Sequence, residues 1–358
     1  MPSYQRPNIQ AMAGYTWGEQ PDDRRTIKLN TNENPYPPSP AVDEAIAAIT
    51  GTDLRRYPQP TADPLRVEIA KTHGIEQNQI VITNGGDEAL RLAITTFVEP
   101  TATIAVTEPS YSLYPVLADI HGSQMLRIKL GESWEFPENF AQRANEAGAQ
   151  LTCIVNPHAP SGTLVDTETL STLADALDGV LLVDEAYVDF VDPELDYDCT
   201  SLINKHDNVL VLRSFSKGYG LAGMRLGYLF GTETLIDPII TKTRDSYNID
   251  HISQAVGLAA FTDQAYAQNT WTAVREQRNL VRNALLQLGL ESPPSQTNFI
   301  LATVTIESPA NAEALYEALK NAGILVRYFP TMKDKLRITI GTPQENEQLI
   351  ATLTKLLT

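Results

Sequence analysis

Two cysteines in 358 residues, Cys153 and Cys199, cannot build a disulfide framework, and a chain of this length can bury a core without one. Histidine is also scarce. The five present (His73, His121, His158, His206 and His251) show neither an HExxH pair nor the spacing of a zinc ligand set, so no metal centre is expected. Positive charge is in deficit: 27 Lys and Arg face 44 Asp and Glu, a net charge of −17 that repels duplex nucleic acid and anionic membranes. No apolar run approaches the roughly 20 residues of a membrane helix. The opening MPSYQRPNIQAMAGYTW lacks the basic start and apolar core of a secretory signal, which makes the cytoplasm the expected compartment. With 42% hydrophobic and 20% charged residues and no internal repeat, a disordered tail, a collagen-like repeat and a coiled coil are excluded. A globular chain of about two domains remains.

Short aliphatic runs alternate with amphipathic stretches, the pattern of an α/β chain with a largely parallel sheet covered on both faces. Strands are expected at Ile80–Thr83, Thr103–Thr107, Leu151–Val155, Val180–Val183, Val209–Arg213 and Leu226–Phe230, with helices at Glu88–Val98, Asp166–Leu177 and Ser253–Phe261. The last hundred residues read as a smaller α+β unit: a helix near Trp271–Leu288, a strand Phe299–Val304, a helix Asn311–Asn321, strands near Ile324–Arg327 and Leu336–Ile340, and a terminal helix. The expected division is an arm over 1–35, a large domain over 36–250 and a small one over 251–358. The proline-rich stretch from Asn34 through Pro40 is expected to cross the surface extended.

In open α/β sheets ligands bind beyond the carboxyl ends of the strands, so the polar residues following each apolar run matter most. Asn84-Gly85-Gly86-Asp87 would open a helix whose amides favour an anion, although Asp87 could simply cap that helix. Asn156 starts a loop held by Pro157 and Pro160. Asp184 ends an all-apolar strand, where a carboxylate needs donors or a cation unless it caps the next helix. Lys217 lies among small hydroxyls and glycines; desolvated there, it would become a nucleophile toward carbonyls, the alternative being a surface lysine. Gly218-x-Gly220-x-x-Gly223 matches a dinucleotide fingerprint, but a strand-like run follows it where that fingerprint needs a helix. A strand-end acid, a lysine, an anion-binding helix start and a nearby arginine together are what pyridoxal phosphate requires of a protein.

In order along the chain, LNTNENPYPPSP, NGGDEA, EPSYSLY, NPHAPSG, VDEAYVDF, SFSKGYGLAGMRLG and LRITIGT resemble the fold-type I pyridoxal-phosphate aminotransferases, and within them the histidinol-phosphate branch. The resemblance implies a large domain with a mostly parallel seven-stranded sheet, a smaller C-terminal domain and a homodimer with shared sites. It implies that Lys217 carries the cofactor covalently and then moves the Cα proton, and that Asp184 keeps the ring nitrogen protonated. Asn156 and Tyr187 would bond the ring's phenolic oxygen, and Tyr111 would stack on the ring. The amides of Gly86 and Asp87, the hydroxyls of Ser214 and Ser216, and Arg225 would hold the phosphate. Tyr57 would reach the partner subunit's cofactor phosphate.

For the substrate, the same resemblance assigns a phosphate site to Arg327, Arg337 and Tyr15, with Asn156 nearby; the plain alternatives are a surface Arg327 and a core Tyr15. The implied reaction transfers the amino group of L-histidinol phosphate, a small-molecule donor, to 2-oxoglutarate. The chain departs from the family in NPHAPSG, where NPNNPTG is usual, and in Tyr328-Phe329 after Arg327. An aromatic-amino-acid aminotransferase, with Tyr328 and Phe329 lining the side-chain pocket, is the second reading, and a threonine-phosphate decarboxylase the third. A cofactor-binding regulator would need a basic DNA-binding segment that a chain of charge −17 does not offer.

Overall fold

The computed structural model describes residues 4–23, 25–305 and 308–357. Its main sheet comprises β1 (Ile80–Thr83), β2 (Thr103–Glu108), β3 (Gln124–Lys129), β4 (Ala149–Val155), β5 (Val180–Asp184), β6 (Val209–Ser214) and β7 (Gly227–Gly231). They lie in the order β1-β7-β6-β5-β4-β2-β3. Strand β7 is antiparallel to both neighbours and every other pair is parallel. The six strands expected from apolar runs are present. The seventh, β3, is an edge strand in which Ile128 alone is buried, so its exposed Gln124, Arg127 and Lys129 hid it from a search for apolar runs.

Alternation along the central strands sorts their side chains into two apolar layers. Ile154, Leu181, Val183, Val209 and Val211 join one layer with Leu65 and Phe261. Cys153, Val155, Leu182, Leu210 and Leu212 join the other, with Ala89 of helix α1 (Gly85–Phe97) and Tyr114 of helix α2 (Leu113–His121). Continuing this alternation past the apolar run puts Asp184 and Ser214 on the second face, and Glu185 and Arg213 on the first. There the Glu185 carboxylate accepts a hydrogen bond from Arg213 Nε at 2.8 Å.

The second sheet holds β8 (Leu290–Glu291), β9 (Phe299–Val304), β10 (Arg327–Tyr328) and β11 (Lys335–Thr339), antiparallel in the order β10-β11-β9-β8. Its core takes Leu315 and Leu319 from one covering helix and Leu349 and Leu353 from the terminal helix. The single strand expected at 324–327 is divided. Ile324 and Leu325 pair in parallel with Ile27 and Lys28, whereas Arg327 and Tyr328 pair with β11.

Two expectations on boundaries change. Helix α3 (His251–Thr262), which a boundary at 251 assigned to the small domain, packs Val256, Ala260 and Phe261 into the first layer of the main sheet. Burial of that apolar face groups α3 with the large unit, and we propose that the passage to the small unit lies in helix α4 (Gln264–Gln287). Pro40 is not extended; it begins a helix, Pro40–Ala48, whose N-cap Ser39 accepts from the Ala41 amide at 3.1 Å. A proline fits the first helical position because its missing N–H has no intrahelical partner there.

Candidate active site

A cavity of about 330 Å3 lies at the carboxyl ends of β4, β5 and β6, and its far wall comes from residues 15–32 and 327–337. Asp184, Tyr187, Tyr111, Gly86, Asp87, Ser214, Ser216, Lys217 and Arg225 line it from the large unit, and Tyr15, Arg327 and Arg337 from the opposite side. Asn156 and Tyr57 do not.

Asp184 is buried. Its Oδ2 accepts from the Tyr114 hydroxyl at 2.9 Å and its Oδ1 from the Ala186 amide at 3.2 Å. Burial, against these two donors, pushes its pKa up to about 6. The sequence alone does not single out Tyr114. Its spacing of three from Tyr111 at a helix start was the available signal, but the same position also suits a core residue.

Lys217 Nζ donates to the Thr31 carbonyl at 2.9 Å. Burial, followed by the charge of Arg337, pulls its pKa down to about 8. The amine therefore loses its proton through about pH 8, where an exposed lysine would remain charged. Competitive acetylation of the cofactor-free protein, read by peptide mass spectrometry, is expected to show Lys217 labelling that rises with pH and levels off above about 8. Labelling still climbing at pH 10 would show an ordinary solvated amine.

An anion cradle occupies one end of the cavity. Helix α1 starts at Gly85, and the side chain of its N-cap, Asn84, makes no capping bond. Gly85 has φ +74, and a Cβ there would stand 2.8 Å from Arg225 Nη2, so the backbone can approach the guanidinium this closely only as glycine. Arg225 donates from Nη1 to Ser216 Oγ at 3.2 Å and from Nη2 to Asp87 Oδ2 at 3.3 Å. Asp87 thus faces Arg225 and does not cap its own helix. Ser214 Oγ accepts from the Ser216 amide at 3.1 Å. A helix N-terminus, two hydroxyls and a guanidinium around one point suit a phosphate.

Between cradle and arginines stand two tyrosines. Tyr111 meets Tyr114 edge-on at 5.7 Å and Tyr15 at 6.3 Å. The Tyr187 hydroxyl accepts from Asn32 Nδ2 at 3.0 Å, its ring abuts Phe299 at 5.1 Å, and burial raises its pKa.

Arg337 donates from Nη2 to the Asn30 carbonyl at 3.1 Å, while its Nε and Asn30 Oδ1 have no hydrogen-bond partner among the described residues. Its guanidinium lies 5.2 Å from the Phe299 ring centre and 5.6 Å from that of Phe329, and Arg327 lies 5.8 Å from Phe329. Arg327 is therefore a wall residue of the cavity. Tyr15, 38% exposed, sits at the cavity edge and not in the core.

Asn156, expected beside a ring and substrate, is a correction. Its Nδ2 donates to the Val165 carbonyl at 2.9 Å and to Tyr197 Oη at 2.8 Å, and its Oδ1 accepts from the Val165 amide at 2.8 Å. Val155 faces the cavity, so strand alternation turns the next residue away, and Ala159 and Pro160 form the wall instead. Tyr328 also points elsewhere: it stacks on Tyr316 at 5.9 Å and leaves Phe329 as the aromatic of the far wall. Tyr57 is 80% exposed and stacks on Tyr247 at 4.5 Å, outside the cavity of its own chain.

Among the described residues, no group of three or more His, Cys, Asp or Glu side chains is placed to hold a metal, and no helix is long and apolar enough to cross a membrane.

Residues 24–353 match the family described as aminotransferase class I and II. The chain is 41% identical over 360 residues to histidinol-phosphate aminotransferase 1 of Nostoc sp., covering 100% of this chain and 99% of that one. It is 41% identical over 356 residues to histidinol-phosphate aminotransferase of Citrifermentans bemidjiense, covering 98% of each. The crystal structure of histidinol-phosphate aminotransferase from Sinorhizobium meliloti in complex with pyridoxal-5'-phosphate superposes with a TM-score of 0.89 at 25% identity, covering 100% of this chain and 98% of that one.

Proposed function

Because the chain belongs to the class I and II aminotransferase family, we propose that it transfers the amino group of L-histidinol phosphate to 2-oxoglutarate, using pyridoxal 5'-phosphate. The observation that carries the substrate reading is the pair Arg327 and Arg337 on the wall opposite the cradle. Neither guanidinium is ion-paired with a carboxylate among the described residues. On a chain of net charge −17, two uncompensated cations beside Tyr15 make a local site for a dianion.

The residues at the other end fit the cofactor. Gly86 and Asp87 amides, Ser214, Ser216 and Arg225 would hold its phosphate, Tyr111 would cover one ring face, and the Tyr187 hydroxyl would serve the phenolic oxygen. When bound, pyridoxal phosphate supplies an electron sink for the carbanion left at the substrate Cα. Asp184, a buried carboxylate, would pair with the ring nitrogen and hold its proton. Lys217 Nζ, with a pKa near 8, would take the Cα proton and deliver it to the cofactor's C4′ carbon. Leu90, Val155 and Leu212 form apolar wall around these groups and limit water.

An aromatic amino acid as donor is the second reading, favoured by Phe329 over both arginines. Tyr328, which that reading also needed, faces away. The exposed Tyr57, with Leu54 also exposed nearby in sequence, supports a homodimer in which Tyr57 serves the partner's site.

The test is a half-reaction: L-histidinol phosphate is added to the cofactor-loaded protein with no keto acid. Loss of the cofactor's visible absorbance in stoichiometric amount is the expected result. An unchanged spectrum, with conversion by phenylalanine instead, would move the aromatic reading to first place.

A further inference from the structure

Among the described residues Asp184 has one side-chain donor, a tyrosine buried to 1% exposure in the first turn of α2. We propose that Tyr114 is a positioning residue of the reaction, whose hydroxyl keeps the Asp184 carboxylate ionised and oriented toward the cavity. This rests on the pyridoxal-phosphate reading of the site.

The argument starts from what surrounds the acid. The groups facing it are Tyr114 from α2, Asp87 from α1, Cys153 from β4, Glu185 beside it in the chain, and Tyr111 and Tyr187 from the cavity walls. Lys217 and Arg225 line the same cavity, but among the described residues no cation is ion-paired with Asp184. Burial and the charges of Asp87 and Glu185 all favour the neutral acid, and the opposing donors are the Tyr114 hydroxyl and the Ala186 amide. The amide is the longer contact, 3.2 Å against 2.9 Å. A neutral acid cannot keep a ring nitrogen protonated by charge, so the donor that stabilises the anion bears directly on the electron sink. Tyr114 is itself suited to remain a donor, because burial and the adjacent carboxylate push its phenol well above the ordinary value.

Ring and hydroxyl have separable jobs. The ring meets Tyr111 edge-on and fills the layer under α1, which Phe would preserve; the hydroxyl alone touches Asp184.

Two variants are compared with the parent, Tyr114→Phe and the protein carrying 3-fluorotyrosine at position 114, whose more acidic phenol is a stronger donor. The readouts are the equilibrium affinity of the cofactor-free protein for pyridoxal phosphate across pH, and the pH profile of kcat/KM. Removing the hydroxyl is expected to move the acid limb of both profiles up by about one pH unit and to weaken cofactor binding roughly tenfold on the acid side. The fluorinated residue is expected to move both limbs down. Opposite shifts from the two variants cannot come from packing alone, and the second variant stands if the first fails to fold. Superposable profiles in parent and variants would overturn the assignment while leaving the cofactor reading intact. A parent protein that binds no pyridoxal phosphate would overturn both.

Discussion

Lys217→Ala is expected to abolish transamination, with a loss of at least ~10^4-fold, because it removes the nucleophile and the proton carrier in one substitution. Among the described residues the lysine is the one amine that lines the cavity between the cradle and Arg337, where burial holds its pKa near 8. Lys28, the other nearby lysine, is committed elsewhere, in an ion pair with Glu33. The chain is expected to stay folded. Lys217 belongs to none of the three apolar clusters, and its hydrogen bond to the Thr31 carbonyl is a single contact at the cavity wall. The phosphate cradle does not involve this side chain, so the variant should retain measurable noncovalent cofactor binding. Steady-state turnover alongside circular dichroism checks both halves. Undiminished turnover would remove Lys217 from the chemistry.

Asp184→Asn should slow transamination by roughly 10^3-fold, the scale of losing one charge aimed at the reacting system in a water-poor site. Folding stability should respond in the opposite sense. Asp184 has a folded pKa near 6, above the ordinary carboxylate value, so the folded state binds its proton more tightly than the unfolded state. The carboxylate therefore costs nothing at low pH, costs progressively more as pH rises from about 4 to 6, and costs its full amount above 6. An asparagine lacks that cost. Above pH 6 the cofactor-free variant is expected to melt at or above the temperature of the parent protein, while below pH 4 the two converge. A slow but not destabilised enzyme is the signature of an acid placed for chemistry. A variant with parental rate would make Asp184 a turn-capping residue, as its contact with the Ala186 amide would allow.

The sequence was most legible where burial is continuous. Strands β1, β2, β4, β5, β6 and β7 are mainly apolar runs buried on both faces, and such runs announce themselves without knowledge of neighbours. Strand β3 is held by pairing with β2 along one edge, and Gln124, Arg127 and Lys129 carry no such signal. The split of 324–328 between two sheets is likewise a matter of partners, since Ile324 and Arg327 differ in which strand lies beside them.

Local order alone determined that Asp184, Lys217, the Gly85-Gly86 turn and Arg225 stand at strand or helix ends, because apolar periodicity marks where each element stops. Tertiary structure decided which of the neighbouring polar side chains share the cavity. Asn156 and Ala159 lie three residues apart in one loop, yet alternation after Val155 turns the amide of Asn156 to Val165 and Tyr197, leaving Ala159 at the wall. Tyr114 reads as a core residue of α2 until β5 is brought beneath it and its hydroxyl meets Asp184. Arg327 and Arg337 converge on Phe329 because β10 and β11 pair in antiparallel register with these two arginines opposite one another. A side chain's direction depends on which face its backbone presents and on what packs against that face, and neither is set by the residues adjacent to it in the chain.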